Sequence, residues 1–288
     1  MSTSIVACTI DYGECAVVRL SMSGTSGYCL TACKTMPFGL GDIASGRGTR
    51  LLKKLTRHFR KWQKEELALC VGPETYLPLP ASFPAGSSPE KCQEYCRIEA
   101  EYFLTRPENY NCDFTGFSNG SDDGPHENKL LLFYPAEECR KLSEHFSAAH
   151  PIVFCGSPQL PLLYLSQLTE EPQVILELEN NYVLLTVSRN GKLEKFSCRQ
   201  VKDRTETEYF AIRKLAGNPV CRETAVQITG SKADRAMAAL ISKATSLNLK
   251  PLSIPPSIPV SNPERFSLSS PATVKAISMA LMAFAEKK

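Results

Sequence analysis

Hydrophobic positions change period several times along the chain, and each change marks an element. Ile5, Ala7 and Thr9 alternate with Val6, Cys8 and Ile10, Asp11 to Glu14 supply turn residues, and Ala16 to Leu20 resume a β-branched run. The opening therefore predicts an antiparallel hairpin. Tyr28 to Lys34 predicts a third strand. Beyond the Gly-rich stretch MPFGLGDIASGRG, Leu51, Leu52, Leu55, Phe59 and Trp62 recur at helical spacing and predict a helix over 49–64. The apolar run LALCVG predicts a strand that stops at Pro73.

The pattern differs over 74–150. A loop, a helix from about Pro89 to Phe103, a strand near Asn111 to Phe114, the polar loop Ser118 to Asn128, the strand KLLLFYP and the helix AEECRKLSEHFSAAH predict an inserted α/β module. From Pro172 the opening order recurs. QVILELE and YVLLTVSRNG predict a hairpin, and KLEKFSCRQV follows as a third strand after the Asn190-Gly191 turn. A helix near Glu206 to Leu215, the strand AVQITG and the helix SKADRAMAALISKATSL complete a second copy of the same order. The proline-rich KPLSIPPSIPVSNPERF is expected to run extended across a surface.

Composition narrows the function classes. With 288 residues, 43% hydrophobic and 22% charged, the chain can bury one large or two ordinary cores. A formal charge of +3 gives no global attraction to nucleic acid. The twelve cysteines do not follow disulfide-framework spacing, and the Cys29/Cys33 and Cys92/Cys96 pairs lack the partners of a zinc site. Buried reduced thiols are expected. No signal peptide is expected, and AISMALMAFA is too short to span a bilayer, which points to the cytoplasm. His58, His126, His145 and His150 accompany no nucleophile turn, so no catalytic set is predicted.

Five stretches in order carry a family resemblance: IDYGECAVVRL, RIEAEYFLTRPENYNCDF, LLLFYPAEECRKLSEHFSAAH, ILELENNYVLLTVSRNG, and a closing segment with Asn262-Pro263, Phe266, Ser270-Pro271 and AISMAL. Together they resemble the actin-like ATPase superfamily, and within it the PilM family of type IV pilus inner-membrane platforms. The cytoplasmic part of GspL in type II secretion and FtsA are more distantly similar.

The resemblance implies an α/β fold of actin-like (ribonuclease H-like) type with two lobes. Residues 1–73 would form the first lobe, 74–150 an inserted α/β subdomain, 151–171 the return to the first lobe, and 172–288 the second lobe. Too few residues separate Arg199 from Val226 for the second lobe's small subdomain, which is expected to be reduced or missing.

In such folds hairpin turns from both lobes hold ATP and Mg²⁺, and the resemblance places Asp11, Gly13, Glu177, Gly230 and Ser231 at the corresponding positions. Each turn departs from what a phosphate needs. Glu14 follows Gly13 where a small hydroxyl residue is expected, and a carboxylate about 4 Å from a phosphate costs roughly 4 kcal/mol at an effective dielectric of 20. Glu177-Leu178-Glu179 stand where Asp-x-Gly would coordinate the metal and admit the backbone. Gly230 is kept, but Ser231 and Lys232 replace a second glycine, although a helix opening there could still accept an anion. The turns are therefore expected to be vestigial, with no cofactor. A working ATP and Mg²⁺ site and a divergent small-molecule kinase are the alternatives.

The resemblance further implies a scaffold that binds the cytoplasmic tail of a single-span membrane protein (PilN-like), in a groove between the inserted subdomain and the first lobe. Tyr95, Tyr102, Phe103 and Leu104 are the expected contacts. The helix over 49–64 carries Arg50, Lys53, Lys54, Arg57, Arg60, Lys61 and Lys64 around its apolar stripe, suited to anionic lipid or to plain solvation. No interleaved aromatics point to nucleic acid.

Overall fold

A computed structural model describes residues 3–22, 27–45, 48–117, 124–261 and 270–287. The chain divides into two compact units: 1–74 with 138–168 and 252–288, and 75–137 with 169–251.

In the first unit, β1 (Thr3–Ile10), β2 (Cys15–Met22), β3 (Tyr28–Met36), β4 (Leu67–Val71) and β8 (Ile152–Gly156) form a sheet in the order β3-β2-β1-β4-β8. The first three strands pair antiparallel, whereas β1 with β4 and β4 with β8 run parallel. α1 (Leu40–Ile43) and α2 (Gly48–Phe59) separate β3 from β4, and α4 (Glu137–Ser147) precedes β8. Phe59 of α2 meets Phe146 of α4 edge to face at 5.1 Å, joining both helices under the sheet. The helix predicted to Lys64 stops at Phe59. A 3-10 turn over Arg60–Trp62 follows, and Lys64 takes a φ of 73°, which no α-helix accommodates.

The second unit repeats the pattern. β9 (Gln173–Leu178), β10 (Tyr182–Arg189), β11 (Lys192–Gln200), β12 (Val226–Thr229) and β13 (Leu249–Pro251) are ordered β11-β10-β9-β12-β13, with the same antiparallel then parallel pairing. α6 (Arg204–Ala216) and α7 (Arg235–Thr245) close one face. Ala211, Leu215, Met237 and Ile241 from these helices join Val174, Leu176, Leu178, Val183, Leu185 and Val187 in one core. β9 and most of β10 are buried on both faces, which is why they read as continuous apolar runs.

The 74–150 module contributes a three-stranded sheet, β5-β7-β6, from β5 (Leu77–Pro84), β6 (Tyr110–Gly116) and β7 (His126–Pro135), covered by α3 (Pro89–Phe103). Ser88 caps α3 by accepting from Lys91 N–H, and Pro89 opens it where no N–H is required. LPLPASFP, expected as loop, is the edge strand β5. Its prolines fall at positions of one parity, so all the missing N–H groups lie on the side away from β7.

Packing corrects the expected partition twice. Tyr76 meets Tyr182 edge to face at 5.5 Å and Phe117 bridges to Leu193, so 75–137 clusters with the second five-stranded sheet, while most of α4 clusters with the first. The last helix, α8 (Pro271–Ala285), falls within the expected second lobe but packs on β1, β2 and β4 of the first unit. α5 (Gln159–Leu163) also packs against it. Every residue of α8 from Ala272 to Phe284 is buried, as a helix apolar on all sides requires. Asn262, Pro263 and Phe266 of the closing segment, and Ser118 to Asp123 of the polar loop, lie outside the described residues.

Candidate functional site

The first hairpin turn is tight, with Asp11 N–H donating to the Glu14 carbonyl at 2.9 Å. The carbonyls of Asp11 and Tyr12 accept from Leu40 and Gly41 N–H at 2.9 and 3.1 Å, fastening the turn to the start of α1. Gly39 permits this approach, since a Cβ there would lie 2.1 Å from the Asp11 carbonyl oxygen. Gly13, by contrast, has open space around it and no positive φ, so nothing in the backbone demands glycine.

The Asp11 side chain points inward, against Gly72 at the end of β4, where a Cβ would come within 2.6 Å of Oδ1. Lys275 Nζ donates to Asp11 Oδ2 at 3.0 Å, with the lysine side chain 2% exposed and the aspartate 18%. Lys275 is the one charged residue in the α8 run PATVKAISMALMAFA. An ammonium is almost never buried without a partner, so this isolated charge in an apolar helix is the sequence signal for the pair.

In the second unit, Glu177 lies within β9 rather than in a turn, in register with Leu184 and Thr229, and is 1% exposed. Its side chain is removed from solvent. The turn proper begins at Glu179, whose N–H donates to the Tyr182 carbonyl at 3.0 Å.

Gly230 follows β12 at φ +104°, and a Cβ would fall 2.3 Å from the Leu178 carbonyl oxygen. Ser231 N–H donates to Glu179 Oε2 at 3.2 Å, and Lys232 N–H to the Leu178 carbonyl at 2.9 Å. The sequence brings Glu177, Glu179, Gly230 and Ser231 to one end of the β9–β12 pair. It does not open a helix at Ser231. α7 begins at Arg235, and the Asp234 carboxylate caps it by accepting from Met237 N–H at 2.7 Å. The expected anion-binding helix start is thus occupied by a carboxylate of the chain itself.

On α3, two of the four expected contacts serve the module's own core. Tyr95 lies against Phe83 at 5.1 Å, and Leu104 packs on the cluster of Phe83, Cys92, Cys96, Ala100, Leu131 and Phe133. Tyr102 and Phe103 are 82% and 63% exposed. Ile98, four residues before Tyr102 and so its neighbour on the helix surface, is 49% exposed and was not anticipated. The exposed cations Arg50, Lys53, Lys54, Arg57, Arg60, Lys61 and Lys64 surround Leu55 and Phe59, which are buried. Lys54 lies over Phe38 and Lys61 over Trp62. Among the described residues, no group of three or more His, Cys, Asp or Glu gathers to hold a metal ion, and no helix is long and apolar enough to cross a membrane.

No family model matches the chain, and no curated protein does. Solved structures do. The PilM–PilN type IV pilus biogenesis complex superposes at a TM-score of 0.69 and 15% identity, over 97% of this chain and 98% of that one. A Bacteroides thetaiotaomicron protein with actin-like ATPase fold and unknown function gives 0.52 and 10%, over 96% and 95%. The cytoplasmic domain of Vibrio cholerae EpsL, an inner-membrane component of the type II secretion system, gives 0.49 and 10%, over 99% and 96%. Two sheets of identical strand order and the likeness to the first two of these structures give the chain an actin-like fold.

Proposed function

We propose that this actin-like chain is a non-catalytic, cytoplasmic scaffold of a type IV pilus or type II secretion inner-membrane platform, holding the cytoplasmic tail of a single-span membrane protein. The observation that carries the non-catalytic half is the buried ion pair of Asp11 with Lys275. A carboxylate already neutralised by an ammonium at 3.0 Å attracts a divalent cation weakly, and the ammonium repels one. The remaining turns act in the same direction. The Ser231 amide, a natural donor to phosphate, already donates to Glu179, and an incoming phosphate would have to displace that carboxylate and remain beside it. These residues do not fit Mg·ATP, and no step is assigned to it.

The scaffold half is supported by the full-length likeness to the PilM–PilN complex and by the solvent-facing Ile98, Tyr102 and Phe103 on α3. Exposed apolar side chains on a helix suit an extended or helical tail from a partner. The basic stretch from Arg50 to Lys64 suits the anionic inner face of the membrane, where each cation contributes about 1 kcal/mol.

Thermal unfolding with millimolar Mg·ATP, then with a synthetic peptide of a PilN cytoplasmic tail, tests the proposal. The tail is expected to raise the midpoint and Mg·ATP to leave it unchanged. A ligand at 100 times its Kd stabilises by about 2.7 kcal/mol, so a nucleotide shift of that size would overturn the non-catalytic assignment.

A further inference from the structure

We propose that Lys195, Ser197 and Arg199 of β11, together with Lys214 of α6, form a binding site for a phosphate dianion, free or as the head of a small phosphomonoester. β11 is an edge strand of the second sheet. Its Lys195, Ser197 and Arg199 stand opposite Val187, Leu185 and Val183, so they share the face on which those three residues meet α6 and α7 in the core. Val201, the next residue of that parity, does join the core. Where apolar side chains would continue the buried face, the strand carries two cations and a hydroxyl, each about 7 Å from the next along the chain.

α6 adds the third cation. Lys214 Nζ donates to the Ser197 carbonyl at 3.0 Å and also to the Ser197 hydroxyl oxygen, which places it over the middle of the three strand residues. Phe210, one turn earlier on α6, supports the Arg199 guanidinium, whose centre is 5.1 Å from the ring centroid. Among the described residues, none of the three cations has a carboxylate partner. The carboxylates that β11 and α6 carry are engaged elsewhere: Glu194 with Arg189 at 2.9 Å, Glu206 with the Lys202 N–H at 2.9 Å, and Glu208 with Arg204 at 3.2 Å.

Three like charges gathered without a counter-ion repel one another, and the strain registers at their centre. Burial, with Arg199 and Lys195 acting in the same direction against Cys198, holds the Lys214 ammonium below the ordinary lysine range. An anion reverses that balance. The Ser197 hydroxyl, which accepts from Lys214, keeps its own proton to donate, and the two lysines and Arg199 supply charge-assisted donors. A carboxylate brings one negative charge and two oxygens, whereas a phosphomonoester brings nearly two charges and three strong acceptor oxygens, the better match to three cations and a hydroxyl. Mg²⁺ already neutralises the terminal phosphates of Mg·ATP, which makes that nucleotide a poor occupant.

The full chain is titrated by calorimetry at about pH 8, where a phosphomonoester is a dianion, with inorganic phosphate and with glycerol 3-phosphate against chloride of matched ionic strength. Tighter binding of the inorganic ion assigns the site to free phosphate and tighter binding of the ester to a phosphomonoester, and either result supports it. Arg199→Gln is expected to weaken binding about tenfold or more, and Lys214→Met to remove it. Lys243→Met, which takes an exposed cation from the last turn of α7, is expected to leave binding unchanged. No binding above the chloride blank, or equal losses in all three variants, overturns the proposal. A second measurement needs no variant: lysines of the unmodified chain are acetylated with limiting N-hydroxysuccinimidyl acetate and mapped by mass spectrometry. Phosphate is expected to slow labelling at Lys195 and Lys214 more than at any other lysine, and protection centred on α2 instead overturns the assignment.

Discussion

Lys275 reaches Asp11 across 264 residues of sequence, from the final helix to the first turn, and the 3.0 Å contact between them is almost entirely removed from water. It fastens α8 to the hairpin whose backbone also holds α1.

Removing one member of this pair leaves the other charged in a poor solvent. Lys275→Met is expected to destabilise the first unit by about 3 to 5 kcal/mol. The double variant Asp11→Asn with Lys275→Met is expected to recover a large part of that loss. Urea unfolding of the single and double variants gives the cycle, and additive losses would show that the two side chains do not interact.

Gly230→Ala combines a φ of +104° with a Cβ lying 2.3 Å from the Leu178 carbonyl oxygen. The strain of such a backbone is about 1 to 3 kcal/mol for a non-glycine residue, and the clash adds to it. A lowered urea midpoint at unchanged slope is expected. Gly13→Ala, where nothing lies within 4 Å, serves as the control and should change stability by less than about 0.5 kcal/mol.

Ile98→Asp and Tyr102→Ala alter exposed side chains, so their effect on unfolding should stay within about 0.5 kcal/mol. If α3 holds the tail, affinity in titration calorimetry should fall about tenfold or more, the equivalent of about 1.4 kcal/mol. Unchanged affinity would remove α3 from the contact surface.

Reversing two exposed cations, Arg57→Glu with Lys61→Glu, should weaken binding to vesicles containing anionic lipid, with about 1 kcal/mol attached to each lost cation near the surface. Binding of the unmodified chain should also fall as salt is raised, because the interaction is screened within a Debye length. Sedimentation with neutral and anionic vesicles distinguishes this from a helix face that only meets water.

Much of the architecture was legible along the chain. Apolar runs on either side of the Asp11–Glu14 turn marked β1 and β2, and the runs of β9 and β10 marked a second hairpin, because strands buried on both faces leave few polar positions. The repeated element order predicted two like sheets, and both have the same strand order. Where local chemistry misled, it did so for identifiable reasons. The segment of β5 was expected as loop because its pairing with β7 is a tertiary fact, whereas Ser231 looked like a helix start although Asp234, three residues on, caps α7 through a local bond.

Sequence alone determined which segments are apolar and where most strands and helices fall. Tertiary structure alone decided that α8 closes the first unit, that Glu177 is buried, that Glu179 takes the Ser231 amide, and that Lys275 neutralises Asp11. The physical reason is range. Hydrophobic periodicity records that a face will be covered, through interactions spaced a few residues apart, but the identity of what covers it depends on contacts between residues hundreds of positions distant.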